Sequence, residues 1–189
     1  MSFLQKSISR RSFIRWTFSL ALASQFPIKA LEAHSPALHV AEKSISLFHI
    51  RTGEHFHDLY WAEGEFIPEA LEAITFLFRD YHTGEVKSID NKLIDFLYGI
   101  QTHTSSTEPI HVISGYRSRK TNELLREKGR CAVRNSFHLH GRAVDITLPS
   151  VLLSDLKKTA ARLKTGGVGY YPHFHFVHVD TGPVRFWQK

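Results

Sequence analysis

The sequence has very little cysteine and no apolar run long enough to cross a bilayer. A single cysteine, Cys131, excludes an intramolecular disulfide framework. The charged fraction of 22% and the aromatic fraction of 12% exclude a disordered or low-complexity chain. Internal repeats and long linkers are also missing. With 189 residues, 42% of them hydrophobic, the chain is expected to form one compact domain with its own core.

Motifs for covalent catalysis are absent as well. The serines have no nucleophile-elbow context, and no catalytic motif surrounds Cys131. A reaction that proceeds through a Ser or Cys nucleophile is therefore not expected.

Most of the net positive charge lies in the first 33 residues. The chain carries a formal net charge of +6, and residues 1–33 contribute +4 of it, so that the remainder carries only +2. There is no nucleic-acid recognition motif, and a basic patch that binds nucleic acid is not expected in the remainder. The basicity therefore belongs mainly to the N-terminal segment.

This N-terminal segment has the features of an export signal. The motif Ser9-Arg-Arg-Ser-Phe-Ile14 precedes a short apolar stretch over 16–24 and resembles the twin-arginine export motif. We expect residues 1–33 to be a removable signal for the twin-arginine translocation machinery, which leaves no stable membrane anchor and places the mature chain in the periplasm. The alternative is an amphipathic N-terminal arm on a cytoplasmic protein.

Hydrophobic periodicity and turn residues predict an α+β fold, a single domain with a small, mainly antiparallel sheet and flanking helices. A hairpin is expected around Arg51–Glu54. Helices are expected from Pro68, from Asp90 as N-cap, over Ser118–Lys128, and from Ser154 as N-cap to Gly166-Gly167. Further strands are expected over Ile110–Ser114, Ala143–Leu148, Val168–Tyr171 and Phe174–Asp180.

Histidines and aspartates in the C-terminal half have the spacing of metal ligands. His138 and Asp145 are seven residues apart, with Gly141 turning the chain between them and Asp145 on the following strand. A second segment, His173-Phe-His175-Phe-Val-His178-Val-Asp180, can supply a third ligand from an adjacent strand. Three protein ligands with a vacant fourth position are typical of catalytic zinc sites, where bound water becomes acidic.

The order of these residues resembles that of a known peptidase family. It reads Ser136-x-His138-x-x-Gly141-x-Ala143-x-Asp145, followed by Phe176-Val-His178-Val-Asp180. This order is similar to that of the zinc peptidases that include D-Ala-D-Ala carboxypeptidases and dipeptidases, whose zinc site is shared by the hedgehog signalling domain. Two more segments, Ser114-Gly-Tyr-Arg-Ser118 and Gly166-Gly-Val-Gly-Tyr-Tyr-Pro172, extend the resemblance to the murein endopeptidases of that family. It covers about residues 45–187, the expected zinc peptidase domain.

The resemblance implies a role for each matching residue. His138, Asp145 and His178 would bind Zn²⁺, and Arg117 would face the site and hold a substrate carboxylate or the developing oxyanion. For Arg117 the alternative is a surface ion pair. His140 occupies a variable position of the motif and is expected to be exposed or to lie behind the ligands.

The general base is left open by the sequence. Several relatives have a Glu three residues before the last ligand, where this chain has His175, and others have a His five residues before it, here His173. Asp180 shares a strand face with His178 and would either orient that ligand or act as the base. His175 and Asp180 are ranked about equally, and His173 behind them.

These observations predict a zinc-dependent murein endopeptidase of the periplasm. It would hydrolyse amide bonds in peptidoglycan stem peptides or their cross-links during cell-wall remodelling, and a carboxypeptidase reaction fits the same site. The alternative is a catalytically inactive, zinc-containing peptidoglycan-binding module, which the missing Glu keeps open.

Overall fold

The computed structural model describes residues 42–130 and 132–189, so that the predicted signal at 1–33 and Cys131 lie outside the described residues. The strands are β1 (Lys43–His49), β2 (His55–Ala62), β3 (Glu65–Phe66), β4 (Ile110–Ser114), β5 (Ala143–Thr147), β6 (Gly167–Tyr171), β7 (Phe176–Asp180) and β8 (Arg185–Gln188). The helices are α1 (Pro68–Leu77), α2 (Asn91–Thr104), α3 (Arg119–Glu127) and α4 (Leu153–Leu163), with 3₁₀ turns at Phe137–His140 and Pro172–Phe174. Within the described ranges, no helix has both the length and the apolar character needed to cross a membrane.

The strands form one mixed sheet in the order β3-β2-β1-β4-β5-β7-β6-β8. Neighbouring strands run antiparallel except in two pairs, β1 with β4 and β6 with β8, which are parallel. The predicted hairpin joins β1 to β2. The α+β class with a mainly antiparallel sheet is confirmed, although eight strands make a larger sheet than expected.

One face of the sheet carries the hydrophobic core, because successive side chains of a strand point to opposite faces. The strand residues in the core are Ile45, Leu47, Tyr60, Ile110, Val112, Val144, Ile146, Val168, Val177 and Val179. Helix α2 packs against α4 and β1, α4 packs against β6 and β7, and α1 packs against β2. The opposite face of β5 and β7 carries Asp145, His178 and Asp180.

Three helices begin at their predicted positions, two with a side-chain N-cap and one with proline as the first residue. Asp90 caps α2 by accepting a hydrogen bond from the backbone N–H of Lys92 at 3.0 Å. Ser118 caps α3 by accepting one from the backbone N–H of Thr121 at 3.2 Å. Pro68 occupies the first position of α1, where its missing N–H costs nothing. These predicted starts are confirmed.

Both predicted ends of α4 are wrong. A turn in which the N–H of Val151 donates to the carbonyl of Leu148 precedes the helix. The helix therefore begins before the predicted position: Leu152 is the N-cap, and Ser154 lies in the first turn. The helix ends at Leu163, and Lys164 caps it with a left-handed φ of 51°, before Gly166-Gly167 is reached.

The strand predictions also need two corrections. β7 begins at Phe176 rather than Phe174, because residues 172–174 form a 3₁₀ turn and His175 adopts a left-handed φ of 55°. β3 and β8 were not predicted. β3 has only two residues. Among the described strands, β8 pairs with β6 alone, and the two strands run parallel.

Candidate metal centre

The register of β5 against β7 brings two of the expected ligands side by side. Asp145 pairs with His178 across this antiparallel ladder. Their strand neighbours Val144 and Val179 pair in the same register and point into the core. Asp145 and His178 therefore share the opposite face of the sheet.

His138 reaches the same place from the 3₁₀ turn at Phe137–His140. The Ser136 hydroxyl accepts a hydrogen bond from the backbone N–H of His138, and Gly141 ends the turn with a φ of 63°. A Cβ on Gly141 would collide with the carbonyl oxygen of Ser88, so that this left-handed position requires glycine for two reasons. The turn then runs directly into β5, which fixes His138 relative to Asp145.

Three ligand atoms converge at this point. Nε2 of His138 lies 3.1 Å from Nδ1 of His178 and 3.3 Å from Oδ1 of Asp145, and the latter two atoms are 2.9 Å apart. Atoms that bind one zinc ion tetrahedrally at about 2.0 to 2.2 Å lie roughly 3.3 to 3.6 Å from each other. Two imidazole nitrogens and one carboxylate oxygen at this spacing form a set that could hold a metal ion.

The outer nitrogen of each imidazole has its own acceptor. Nδ1 of His138 contacts the carbonyl oxygen of Gly115 at 2.7 Å, and Nε2 of His178 contacts Oδ2 of Asp180 at 3.0 Å. Because these acceptors hold the ring proton on the outer nitrogen, the inner nitrogens present lone pairs to the cluster. The rings are thus oriented as metal ligands.

Burial and charge tune the protonation of the cluster. Burial, with the nearby Arg117 charge, lowers the pKa of His138 to about 4, so that this ring is neutral at pH 7. Burial acts to raise the pKa of Asp145, but its interactions with His138 and Arg117 hold that pKa well below its usual value. Burial acts to lower the pKa of His178, and hydrogen bonds to Asp145 and Asp180 outweigh that effect and raise it.

Arg117 lies beside the cluster rather than in a surface ion pair. It follows β4, where its Nε donates to Oγ of Ser114 at 2.8 Å and its Nη2 contacts Oδ2 of Asp145. Its side chain is only 11% exposed and lines the cavity above the cluster. Nη1 has no protein partner among the described residues.

Asp180 lies behind His178 and is completely buried. Its Oδ1 accepts hydrogen bonds from the N–H of Gly182 at 2.8 Å and from Arg185 at 3.0 Å, and its Oδ2 accepts from His178 and from Arg185 at 2.7 Å. Burial opposes ionisation, but the bonds from His178 and Arg185 hold the pKa of Asp180 well below its usual value. These contacts match the orienting alternative, because neither oxygen is left to take a proton from the cavity.

The expectation that His175 reaches the site is not met in the structure. His175 follows the 3₁₀ turn at Pro172–Phe174, is exposed, and does not line the cavity over the cluster. His173 is exposed in the same turn, and His140 is exposed at the end of the other one. His173 and His175 lie in the turn that precedes β7, and His175 ends this turn with a left-handed φ of 55°.

Arg185 and Trp187 of β8 are site residues that sequence reasoning missed. Gly169 pairs with both His178 and Trp187, and Gly167 pairs with both Asp180 and Arg185. A Cβ on Gly169 would lie 2.5 Å from the Trp187 ring, and one on Gly167 would lie 2.6 Å from Oδ2 of Asp180. The two glycines therefore let the β8 side chains cross β6 and reach the cluster.

Trp187 forms a wall next to the expected ligands. Its ring lies 5.4 Å from the ring of His178, and its Nε1 donates to the Tyr171 hydroxyl at 2.9 Å. The sequence does hold a signal for this contact, since glycines at 167 and 169 and large side chains at 185 and 187 share a period of two.

A cavity of about 380 Å³ opens over the cluster. Its aromatic lining consists of Tyr81, Phe137, Tyr171, Phe174, Phe176 and Trp187. Asp145 is the only carboxylate that lines it within the described ranges. An apolar, peptide-sized cleft with a few polar groups at its floor is typical of a binding site for an organic substrate.

Known proteins are similar in sequence to most of this chain. A family described as peptidoglycan L,D-endopeptidase MepK, among the M15 peptidases, matches residues 38–187. Peptidoglycan L,D-endopeptidase MepK of Escherichia coli strain K12 is 40% identical over 143 residues, which are 76% of this chain and 79% of that protein. The probable peptidoglycan L,D-endopeptidase MepK of Haemophilus influenzae is 41% identical over 140 residues, which are 74% and 75% of the two chains. These matches confirm the resemblance found in the sequence and the interpretation of the chain as an enzyme. The chain belongs to the peptidoglycan L,D-endopeptidase MepK family of M15 peptidases.

Proposed function

We propose that this protein is a zinc-dependent endopeptidase that hydrolyses an L,D peptide bond in cross-linked peptidoglycan. The observation that carries the proposal is the convergence of His138, Asp145 and His178 at the floor of the cavity, in a chain of this family. The names of its relatives supply the L,D bond, between the carbonyl of an L centre and the nitrogen of a D centre.

The three converging side chains suit zinc. Imidazole nitrogen and carboxylate oxygen are ordinary zinc ligands, and their separations of 2.9 to 3.3 Å are close to those of a tetrahedral site. A zinc ion bound by this set supplies Lewis-acid chemistry, which polarises a carbonyl oxygen and acidifies water.

The remaining polar groups position the ligands and the substrate. Asp180 holds the proton of His178 on Nε2, and Gly115 holds the proton of His138 on Nδ1. Arg117 keeps one donor nitrogen, Nη1, for a substrate carboxylate or for negative charge that develops on the carbonyl oxygen. We assign Asp180 as a positioning residue, and we expect His175 to have no part in proton transfer.

The test is hydrolysis of purified cross-linked muropeptides by the metal-loaded protein. We expect loss of cross-linked material in chromatography, inhibition by a chelator, restoration by zinc, and no activity for Asp145→Ala. The matched control is Asp58→Ala, an exposed aspartate of β2 far along the sheet from Asp145. Unchanged cross-links with the metal-loaded wild type would overturn the proposal, and binding without product would favour the inactive binding module.

We also propose that residues 1–33 direct the chain to the periplasm through the twin-arginine route and are then removed. The support is the pair Arg10-Arg11 ahead of a short apolar stretch, together with a substrate that lies outside the inner membrane. The variant with Arg10→Lys and Arg11→Lys should accumulate unprocessed in the cytoplasm in cell fractionation, whereas Lys6→Arg should be exported normally. Export of the double variant at the wild-type rate would contradict this route.

A further inference from the structure

The charges that line the cavity are strongly unbalanced. Its cationic side chains, within the described residues, are Arg51, Arg117, Arg130, Arg185 and Lys189, against the single carboxylate of Asp145. Arg117 is paired with Asp145, and Arg185 is paired with Asp180. The side chains of Arg51 and Arg130 form no ion pair or hydrogen bond with any described residue. Both side chains are exposed at the cavity, so their guanidinium groups are accessible to a ligand.

These two arginines lie where the cavity meets a second one. The second cavity has a volume of about 330 Å³ and shares Arg51, Tyr81, Leu125 and Arg130 with the first. It adds Lys128, and no carboxylate of the described residues lines it. A ligand that extends from the candidate metal centre to this junction meets Arg51 and Arg130, with no carboxylate side chain of the described residues in the lining there.

The backbone that carries Arg51 is fixed by hydrogen bonds. Nδ1 of the buried His49 accepts hydrogen bonds at 3.3 Å from the backbone N–H groups of both Arg51 and Thr52. The same turn is closed by the N–H of Gly53 on the carbonyl of His49 at 2.9 Å. Glu54, at its end, is held by both Nη atoms of Arg79, at 2.7 and 3.0 Å.

The backbone that carries Arg130 is fixed by the end of α3. Gly129 takes a φ of 65°, and the N–H of Arg130 donates to the carbonyl of Leu125 at 2.9 Å. Such a glycine-based helix end sets the direction of the residue that follows it. Both guanidinium groups thus project from backbones that are already ordered, which lowers the entropic cost of binding.

We propose that Arg51 and Arg130 form a carboxylate-binding subsite that holds a free carboxylate of the peptide substrate away from the scissile bond. The proposal rests on the proposed function, because a peptidoglycan peptide carries carboxylates that its peptide bonds do not use. Guanidinium groups bind carboxylates through paired, charge-assisted hydrogen bonds. Arg117 serves the metal centre, whereas this pair recognises the substrate at a distance from it.

Because the subsite contacts a part of the substrate that does not react, it should affect binding rather than chemistry. Loss of either arginine should raise KM and leave kcat nearly unchanged. Loss of one charge-assisted pair corresponds to a change in KM of about tenfold.

The experiment compares Arg51→Gln and Arg130→Gln with wild type on two probes. One probe is a cross-linked stem-peptide dimer with all carboxylates free, and the other is a set of the same dimers with one carboxylate at a time converted to a carboxamide. Hydrolysis is followed with the zinc-loaded protein, and binding is followed by calorimetry with the chelator-treated protein. The control variant is Arg162→Gln, an exposed arginine of α4 that lines neither cavity.

We expect one carboxamide to weaken wild-type binding by about tenfold and to have no further effect in Arg51→Gln or Arg130→Gln. Equal losses on the free and amidated dimers, or no loss, would overturn the subsite even if hydrolysis is normal. If wild type binds the free dimer with this arginine dependence but never cleaves it, the subsite stands and the proposed function fails. Absence of both binding and hydrolysis would overturn both.

Discussion

The carboxylate of Asp180 accepts a hydrogen bond from Nε2 of His178 at 3.0 Å, on the side of the imidazole away from Asp145. This contact places the ring proton outside the cluster and leaves the lone pair of Nδ1 available to a metal ion. Arg185 holds Asp180 in turn with two hydrogen bonds. The candidate metal centre is therefore supported by a chain of contacts that ends on β8.

We expect Asp180→Asn to lower the affinity for zinc by about tenfold to a hundredfold, because the neutral amide makes His178 a weaker ligand. Arg185→Gln should lower it less, since Asp180 keeps its charge and its bond to the N–H of Gly182. Affinity is measured by competition with a chromophoric chelator. Arg162→Gln is the control, and unchanged affinity in Asp180→Asn would contradict the positioning role.

The close approach of β8 to β6 predicts an effect of Gly169→Ala. The added methyl group would lie 2.5 Å from the Trp187 ring, so that the ring must move away from His178. We expect the free energy of unfolding to fall by about 1 to 3 kcal/mol in chemical denaturation.

A second substitution separates this clash from other effects of Gly169→Ala. Trp187→Ala removes the ring, so that the double variant should lose clearly less stability than the sum of the two single losses. Additive losses would mean that the methyl group and the ring do not compete for the same space.

The exposed position of His175 predicts that it is dispensable for catalysis. In His175→Asn, which preserves a residue tolerant of the left-handed conformation, we expect kcat/KM within about twofold of wild type. His178→Asn, a substitution of the same kind at an expected ligand, should abolish activity. A loss of tenfold or more in His175→Asn, with normal zinc content, would restore His175 as the candidate base.

The buried contacts of Asp80 near the start of α3 predict that the stability of the fold depends on pH. Its buried carboxylate accepts hydrogen bonds from the N–H groups of His82 at 2.9 Å and Ser118 at 2.8 Å. Burial acts to raise its pKa, but hydrogen bonds from Thr121, Ser118 and His82 outweigh burial and lower it. A carboxyl group whose pKa is lower in the folded state stabilises the fold above its unfolded pKa, about 3.9, and loses this effect as the pH falls through the folded pKa.

We therefore expect Asp80→Asn to cost about 1 to 3 kcal/mol at pH 7 and progressively less below about pH 4. Denaturant titrations from pH 7 to pH 3 measure this gap. Asp58→Asn, at an exposed site of β2, is the control and should change stability much less. A gap that stays constant over this pH range would show that the charge of Asp80 is not what stabilises the turn.

Much of the fold was predictable because its signals are local. Asp90 and Ser118 cap helices through bonds to residues two or three positions away, and alternation along β5 and β7 follows from a period of two. Ser154 failed as a predicted cap because a turn centred on Pro149-Ser150 competes with it. β8 could not be predicted since its pairing with β6 depends on the tertiary structure.

The sequence by itself determined which residues are candidate ligands and in what order they occur. It also determined the turn at Gly141 that brings His138 next to β5, because that turn depends on short-range backbone preferences. Only the tertiary structure decided that Asp145 pairs with His178 and that both carboxylate oxygens of Asp180 accept hydrogen bonds from Arg185. It also decided that His175 is exposed and does not line the cavity. It further decided that Arg51 and Arg130 line the same two cavities. Those relationships join residues on separate strands and turns, and strand register and long-range packing, rather than local sequence, set the distances between them.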